Sequence, residues 1–319
     1  MLIFNTTMNR PLVSIIMPTF NHEQYILKSL ESIINQDIDF EIEILIGDDC
    51  STDNTRKQCL YFKNKYPELV RLFFNPVNIG LLKNYKNLIE NAKGKYLAIL
   101  ESDDYWQNRN KLKTQIRFLE ENSDYGLIYT NANFLYENNK KFKESVQKRN
   151  PSGNIFKKLL KGNFIIACTT CFRKCLFDKY INIDDYIKEN FETFDFPVWL
   201  ELSLKTKFKF YNESTATYRI VSKSISNNSN KDKAIKFIDS SLNIVNYVLK
   251  KNSIDLSYNK YIKNSCKIQQ VKYLCRQGAM SEAVKTAKNI EYIDIQNILK
   301  RLLLSNKFCL QILNKIYFK

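Results

Sequence analysis

The sequence predicts an α/β fold, a mostly parallel sheet flanked by helices, with an all-α C-terminal extension. Three observations predict it. Short apolar runs alternate with stretches of helical spacing through the first hundred residues. Polar clusters follow three of those runs, at Pro18-Thr19-Phe20-Asn21, Gly47-Asp48-Asp49 and Glu101-Ser102-Asp103-Asp104. From about Lys231 onward helix follows helix with no strong strand.

Val13-Ser14-Ile15-Ile16-Met17 reads as a buried strand ended by Pro18, and residues 25–35 carry apolar side chains at 26, 27, 30, 33 and 34, the spacing of one helical face. Ile42-Glu43-Ile44-Leu45-Ile46 is a second strand. Ser51-Thr52-Asp53-Asn54 then caps a helix that runs to about Tyr66, with Pro67 beyond it. Residues 70–74 form a third strand, residues 84–92 a helix ended by Lys93-Gly94, and Tyr96-Leu97-Ala98-Ile99-Leu100 a fourth strand. Strands separated by helices at this spacing make parallel βαβ units. Residues 126–130 and 165–172 are expected to continue the sheet, and Asn227-Asn228-Ser229-Asn230 reads as a linker. The expected division is a catalytic domain over residues 11–226 and a basic helical region over 231–319.

Composition narrows the chemistry. No apolar run reaches the roughly 18–20 residues that span a bilayer. The first ten residues lack the charged start and long apolar centre of a signal peptide, so the cytoplasm is the expected location. Eight cysteines then read as reduced thiols; Cys168, Cys171 and Cys175 lack a second paired set to complete a zinc site. The single histidine, His22, removes His-rich metal cages and leaves acid–base work to carboxylates. Neither the Rossmann glycine fingerprint nor the P-loop pattern occurs. The net charge of +16 is concentrated at the end, where the last 89 residues hold 17 Lys/Arg against six Asp/Glu. That excess asks for an acidic neighbour, either anionic lipid or nucleic acid.

If the strands are parallel, the three polar clusters meet at one sheet edge, the edge where ligands bind in open α/β sheets. Three carboxylates within four positions cannot stay buried unpaired. At such an edge they suit a hard divalent cation bridging to phosphate oxygens. Taken singly, each cluster could also be turn or cap chemistry.

The strand before Pro18-Thr19-Phe20-Asn21, then Gln36, Ile46-Gly47-Asp48-Asp49-Cys50-Ser51-Thr52-Asp53-Asn54-Thr55, Asn75-Pro76-Val77-Asn78-Ile79-Gly80 and Glu101-Ser102-Asp103-Asp104-Tyr105-Trp106 together resemble family 2 glycosyltransferases of the GT-A fold. The resemblance spans roughly residues 11–225. It implies that Pro18, Thr19, Phe20 and Asn21 line a nucleotide pocket, that Asp48, beside Asp49, accepts from the uracil N–H, and that Asn78 and Gly80 frame the donor. It further implies that Asp103 and Asp104 hold ribose and a Mn²⁺ or Mg²⁺ ion, with the direct ligand left open between them. The first acid of that metal motif is here Glu101 instead of Asp. In Glu192-Thr193-Phe194-Asp195-Phe196-Pro197-Val198-Trp199-Leu200, Asp195 takes the position of the catalytic base, with an N-cap as its plainer role and Glu192 as the competing acid. Tyr218-Arg219 and Ser222-Lys223-Ser224-Ile225-Ser226 resemble the segment that closes over the donor diphosphate, where Arg219 would meet phosphate oxygens.

The activity so implied is inverting transfer of a hexosyl or N-acetylhexosaminyl group from a nucleotide sugar, a UDP-sugar first, to a hydroxyl of a glycan or lipid-linked acceptor, as in bacterial surface polysaccharide or glycoconjugate synthesis. The basic C-terminal helices would then rest on an anionic membrane at the inner face, on a partner, or on a second copy of the chain. A non-catalytic basic module binding nucleic acid or membrane is the rival. Acids at the strand ends would repel phosphate without a metal, so nucleic acid is not the expected partner. A nucleotidyltransferase of related fold is a further rival, and it lacks its phosphate loop after the first strand.

Overall fold

The computed structural model describes residues 11–137, 140–144, 150–221, 230–291, 303–306 and 309–311. Two compact units are present: one of residues 1–155 and 165–222, the other of residues 156–164 and 223–319.

The first unit is built on a nine-stranded sheet. Its parallel half contains β1 (Val13–Thr19), β2 (Ile42–Asp48), β3 (Val70–Phe74) and β4 (Tyr96–Ile99), ordered β3-β2-β1-β4. Every residue of β1 and β4 is buried, which is why these strands read as unbroken apolar runs. The intervening helices are α1 (Ile26–Ile34), α2 (Thr55–Lys65) and α3 (Leu81–Asn91). α1 turns Ile26, Leu30 and Ile33 into the core. α3 packs against β1 and β2, close enough that a Cβ on Gly47 would lie 2.3 Å from Asn84 Oδ1.

β5 (Tyr105–Trp106) and α4 (Lys111–Glu121) lead into β6 (Tyr125–Tyr136), which carries the short β7 (Lys141–Lys143) on one side. α5 (Phe156–Leu159) belongs to the second unit, and β8 (Cys171–Arg173) then lies antiparallel between β4 and β6. After α6 (Lys174–Tyr180), α7 (Ile183–Lys188) and α8 (Asp195–Ser203), the long β9 (Lys207–Ile220) runs parallel to β6 and antiparallel to β5.

Two expectations need correction. The strand expected over 165–172 pairs only at Cys171–Arg173, because residues 167–169 form a 3₁₀ turn that buries Cys168 without a ladder partner. α3 begins at Leu81, three residues earlier than expected, because Gly80 at φ +85° makes the turn that launches it.

In the second unit, α9 (Lys231–Lys251) is capped by Asn230, whose side chain accepts from Lys233 N–H at 3.1 Å. α10 (Asn259–Arg276) and α11 (Met280–Lys288) form an αα-hairpin turned at Gly278, φ +76°. Ala283 and Ala287 on α11 let it approach Val271, Leu274 and Cys275 closely, giving this unit its own apolar core. No helix among the described residues is long and apolar enough to cross a membrane.

Candidate active site at the strand ends

The parallel register brings the three polar clusters to one edge. Thr19 pairs with Asp48 across β1 and β2, while Ile16 pairs with Ile99, so the acids that follow β4 emerge beside them. Asp49 N–H donates to Thr19 O at 3.0 Å, tying the first two clusters together.

Asp48 is fully buried. Its Oδ2 accepts from Ser51 N–H at 3.2 Å and from the Arg56 guanidinium. Arg56 also reaches Asn75 O and lies over the Phe74 ring, which pins α2 to the end of β3. The other oxygen, Oδ1, is buried without a hydrogen-bond partner, and so is Thr19 Oγ1. A buried acceptor left unmade costs about 1–3 kcal/mol. Two of them side by side mark a place where a ligand's donors fit. Phe20, at 43% exposure, stands beside them as an open aromatic face.

Asp49 turns to the neighbouring loop. Its Oδ1 accepts from Ile79 N–H (2.8 Å) and Asn75 Nδ2 (3.1 Å), and its Oδ2 from Gly80 N–H (2.9 Å). Asn78 Nδ2 donates to Asp49 O at 3.1 Å. Asp49, Asn78 and Gly80 therefore hold one another and shape the rim. Asn21 adopts a left-handed φ of +55°, which asparagine tolerates better than most residues, and its Oδ1 accepts from Thr52 N–H at 2.8 Å. Pro18 lies opposite Gly47 in the same ladder.

The acid loop converges as its composition suggested. One carboxylate oxygen from each of Glu101, Asp103 and Asp104 lies within 4.8 Å of the others. Asp104 is buried; its Oδ1 accepts from Arg219 N–H at 2.7 Å and its Oδ2 has no hydrogen-bond partner. Burial, then Asp103 and Glu101, hold the Asp104 carboxyl well above the usual carboxylate range. Burial, then Asp103 and Asp195, push Glu101 up to about 8. Like charges this close raise the cost of ionising Glu101 and Asp104, and a bound cation would offset it. An all-oxygen set with a buried, unpartnered carboxylate oxygen fits Mn²⁺ or Mg²⁺.

Arg219 enters this loop from β9. Its Nε donates to Asp103 O at 2.6 Å, it pairs with Glu137, and it lies 4.6 Å over the Tyr25 ring. The guanidinium thus braces the acid loop from β9. Ser222 to Ser226 lie outside the described residues.

Asp195 opens α8, and its Oδ1 accepts from Phe196 N–H at 2.8 Å. A carboxylate in the first helical turn is favoured by the helix dipole. Its charge reaches Glu101 and Tyr85. Trp106 and Trp199 are both core residues, and Trp106 Nε1 donates to Cys168 O at 2.8 Å.

Three contributors escaped the sequence reading. His22 Nδ1 lies 2.7 Å from Ser102 Oγ, inside the acid loop. Arg56 holds Asp48. Tyr85 Oη donates to Glu101 Oε1 at 2.9 Å. His22, directly after Asn21, and Arg56, directly after Thr55, stood next to recognised motifs, whereas Tyr85 did not.

The model of glycosyl transferase family 2 matches residues 14–181 of this chain. The chain belongs to that family. TuaG of Bacillus subtilis, a glycosyltransferase assigned to teichuronic acid biosynthesis, is 33% identical over 229 residues, covering 71% of this chain and 85% of TuaG. Uncharacterised mycobacterial relatives are 33% identical over 132 residues, and there the match spans only 38% of their length. Two solved structures share the fold. S. aureus TarS residues 1–349 with UDP superpose at a TM-score of 0.53 and 15% identity, covering 93% of this chain and 90% of that one. The mannosyltransferase PcManGT of Pyrobaculum calidifontis, solved with GDP-Man and Mn²⁺, reaches 0.56 at 14% identity, covering 98% and 89%. This family 2 glycosyltransferase therefore has the GT-A architecture, and its acid loop and unpartnered acceptors share one sheet edge.

Proposed function

We propose that this glycosyltransferase takes a sugar from a UDP-sugar and transfers it, with inversion, to a hydroxyl of a glycan or lipid-linked acceptor. The observation that carries the donor assignment is the pair of unpartnered buried oxygens on Asp48, at the end of β2, and Asp104, in the loop after β4, the two strands that flank β1. Asp48 Oδ1 is an acceptor-only atom and suits the imide N–H of uracil. Thr19 Oγ1 supplies a second polar contact, and Phe20 a ring against which the base can lie. Asp103 and Asp104, with Glu101 beside them, would hold the divalent cation. When bound, such an ion stabilises the charge that grows on a departing nucleoside diphosphate. The complexes of TarS with UDP and of PcManGT with GDP-Man and Mn²⁺ support a nucleotide sugar and a divalent ion.

On the acceptor side, Asp195 removes the proton from the attacking hydroxyl. The acceptor oxygen bonds to the anomeric carbon as the bond from that carbon to the diphosphate oxygen breaks. A single displacement of this kind inverts the configuration. The test is Asp195→Asn, which should lower turnover by at least a hundredfold while UDP affinity in Mn²⁺ stays within twofold of wild type. Near-normal turnover would remove Asp195 from the base role.

The Lys-rich helices of the second unit are assigned to an anionic membrane surface beside a lipid-linked acceptor, on the strength of their charge. Cosedimentation with vesicles rich in phosphatidylglycerol, but not with phosphatidylcholine vesicles, is expected. Equal recovery with both would contradict it.

A further inference from the structure

Tyr85 touches both halves of the proposed site. It lies on α3 and is 1% exposed. Its hydroxyl donates to Glu101 Oε1 at 2.9 Å. Its ring stacks on Phe194 with centroids 3.9 Å apart and planes 7° from parallel. Phe194 is the residue before Asp195 and is itself buried. The Phe177 ring on α6 also packs near it, with centroids 6.2 Å apart. One rigid side chain on a helix that packs against β1 and β2 thus contacts the acid loop through its polar end and the start of α8 through its face.

We propose that Tyr85 is a positioning residue that sets the distance between the donor-holding carboxylates and the acceptor-side carboxylate. It reaches no substrate itself. Two separable contacts do the work. The hydroxyl orients Glu101, so that the acid loop presents its oxygens together. The ring holds Phe194, and through the backbone the first turn of α8, at a set height above the loop. Tyrosine suits the task because it has few rotors and offers both a flat apolar face and a hydrogen-bond donor. Groups that orient metal-holding carboxylates commonly change metal affinity or activity by 10- to 100-fold when removed. A displacement of about 1 Å in a reacting group can lower turnover by about 100-fold.

The inference rests on the assignment of Asp195 as base, and the experiment keeps the two apart. Tyr85→Phe retains the stack and removes the hydroxyl. It should weaken Mn²⁺-dependent UDP binding, read by calorimetry, by about tenfold, with kcat at saturating Mn²⁺ and donor within about threefold of wild type. Phe194→Leu retains the hydroxyl contact and removes the stack. It should leave UDP and Mn²⁺ affinity unchanged and lower kcat by ten- to a hundredfold. Melting temperature is measured for both. The proposal is overturned if Tyr85→Phe binds Mn²⁺ and UDP as wild type does, or if the two variants lose affinity and turnover together in step with their melting temperatures. Should Asp195→Asn stay active while Tyr85→Phe loses Mn²⁺-dependent affinity, the base assignment fails and the hydroxyl's role stands.

Discussion

The backbone N–H of Arg219 donates to Asp104 Oδ1 at 2.7 Å, so the end of the long strand β9 meets the acid loop 115 residues earlier in the chain. This bond uses one oxygen of the most buried acid of the cluster and leaves the other buried without a hydrogen-bond partner. The side chain reinforces the contact by bonding Asp103 O and pairing with Glu137.

Arg219→Met should therefore act on stability and on the site together. It leaves Glu137 without its cation and removes the guanidinium from Tyr25. Loss of one partner of a largely buried pair costs about 3 kcal/mol. A lower urea midpoint is expected, together with weakened Mn²⁺-dependent UDP binding. Unchanged stability would mean that the brace is dispensable.

Asp49→Asn tests the rim. Both carboxylate oxygens accept from backbone N–H groups of Ile79 and Gly80, and Asn75 adds a third donor. An amide can replace only one of those oxygens and sets its own NH₂ against the remaining donors. A loss of about 1–3 kcal/mol is expected in denaturant titration. UDP affinity should fall as the loop over residues 75–80 loosens.

Lys111 offers a test through pH. It is 1% exposed, lies 4.4 Å over the Trp106 ring, and donates to Gln115 Oε1 at 2.7 Å. Burial lowers its pKa from the ordinary 10.5 to about 8. Between those values the unfolded chain binds a proton that the folded chain does not, so this residue makes stability rise with pH across that window. Below about pH 8 both states are charged and the folded state carries the full burial penalty. Lys111→Met should remove that rising component and stabilise the protein at pH 7 by about 1–2 kcal/mol, the relieved penalty being partly offset by the lost bond to Gln115. An unaltered stability–pH profile between pH 8 and 10 would show that Lys111 does not titrate in this way.

β1 and β4 were legible because every residue in them is buried, so both are dominated by apolar side chains. The edge strand β3 is only half-buried, yet its apolar Val70, Leu72, Phe73 and Phe74 still bounded it at residues 70–74 as found. The strand expected over 165–172 misled, since an apolar, buried run alone does not distinguish a ladder from the 3₁₀ turn at residues 167–169 packed in the core. β9 was hidden because its 14 residues mix Lys, Asn, Glu and Arg with the apolar positions. Within the site, Asp48 and the acid loop stood out as carboxylates directly after such strands. Tyr85 and His22 did not, because their partners Glu101 and Ser102 lie 16 and 80 residues away, and no local spacing encodes such pairs.

On the proposed function, Asp48 and Asp104 hold opposite ends of one nucleotide, the second through a divalent ion. Calorimetric titration of UDP into wild type, Asp48→Asn and Asp104→Asn, each with and without Mn²⁺, tests it most directly. Wild type should bind UDP at least tenfold more tightly with Mn²⁺ than without. Asp104→Asn should lose that Mn²⁺ increment and keep the metal-free affinity. Asp48→Asn should lose affinity in both conditions and keep the increment. Mn²⁺ dependence that survives in Asp104→Asn, or UDP binding indifferent to Asp48→Asn, would contradict the account.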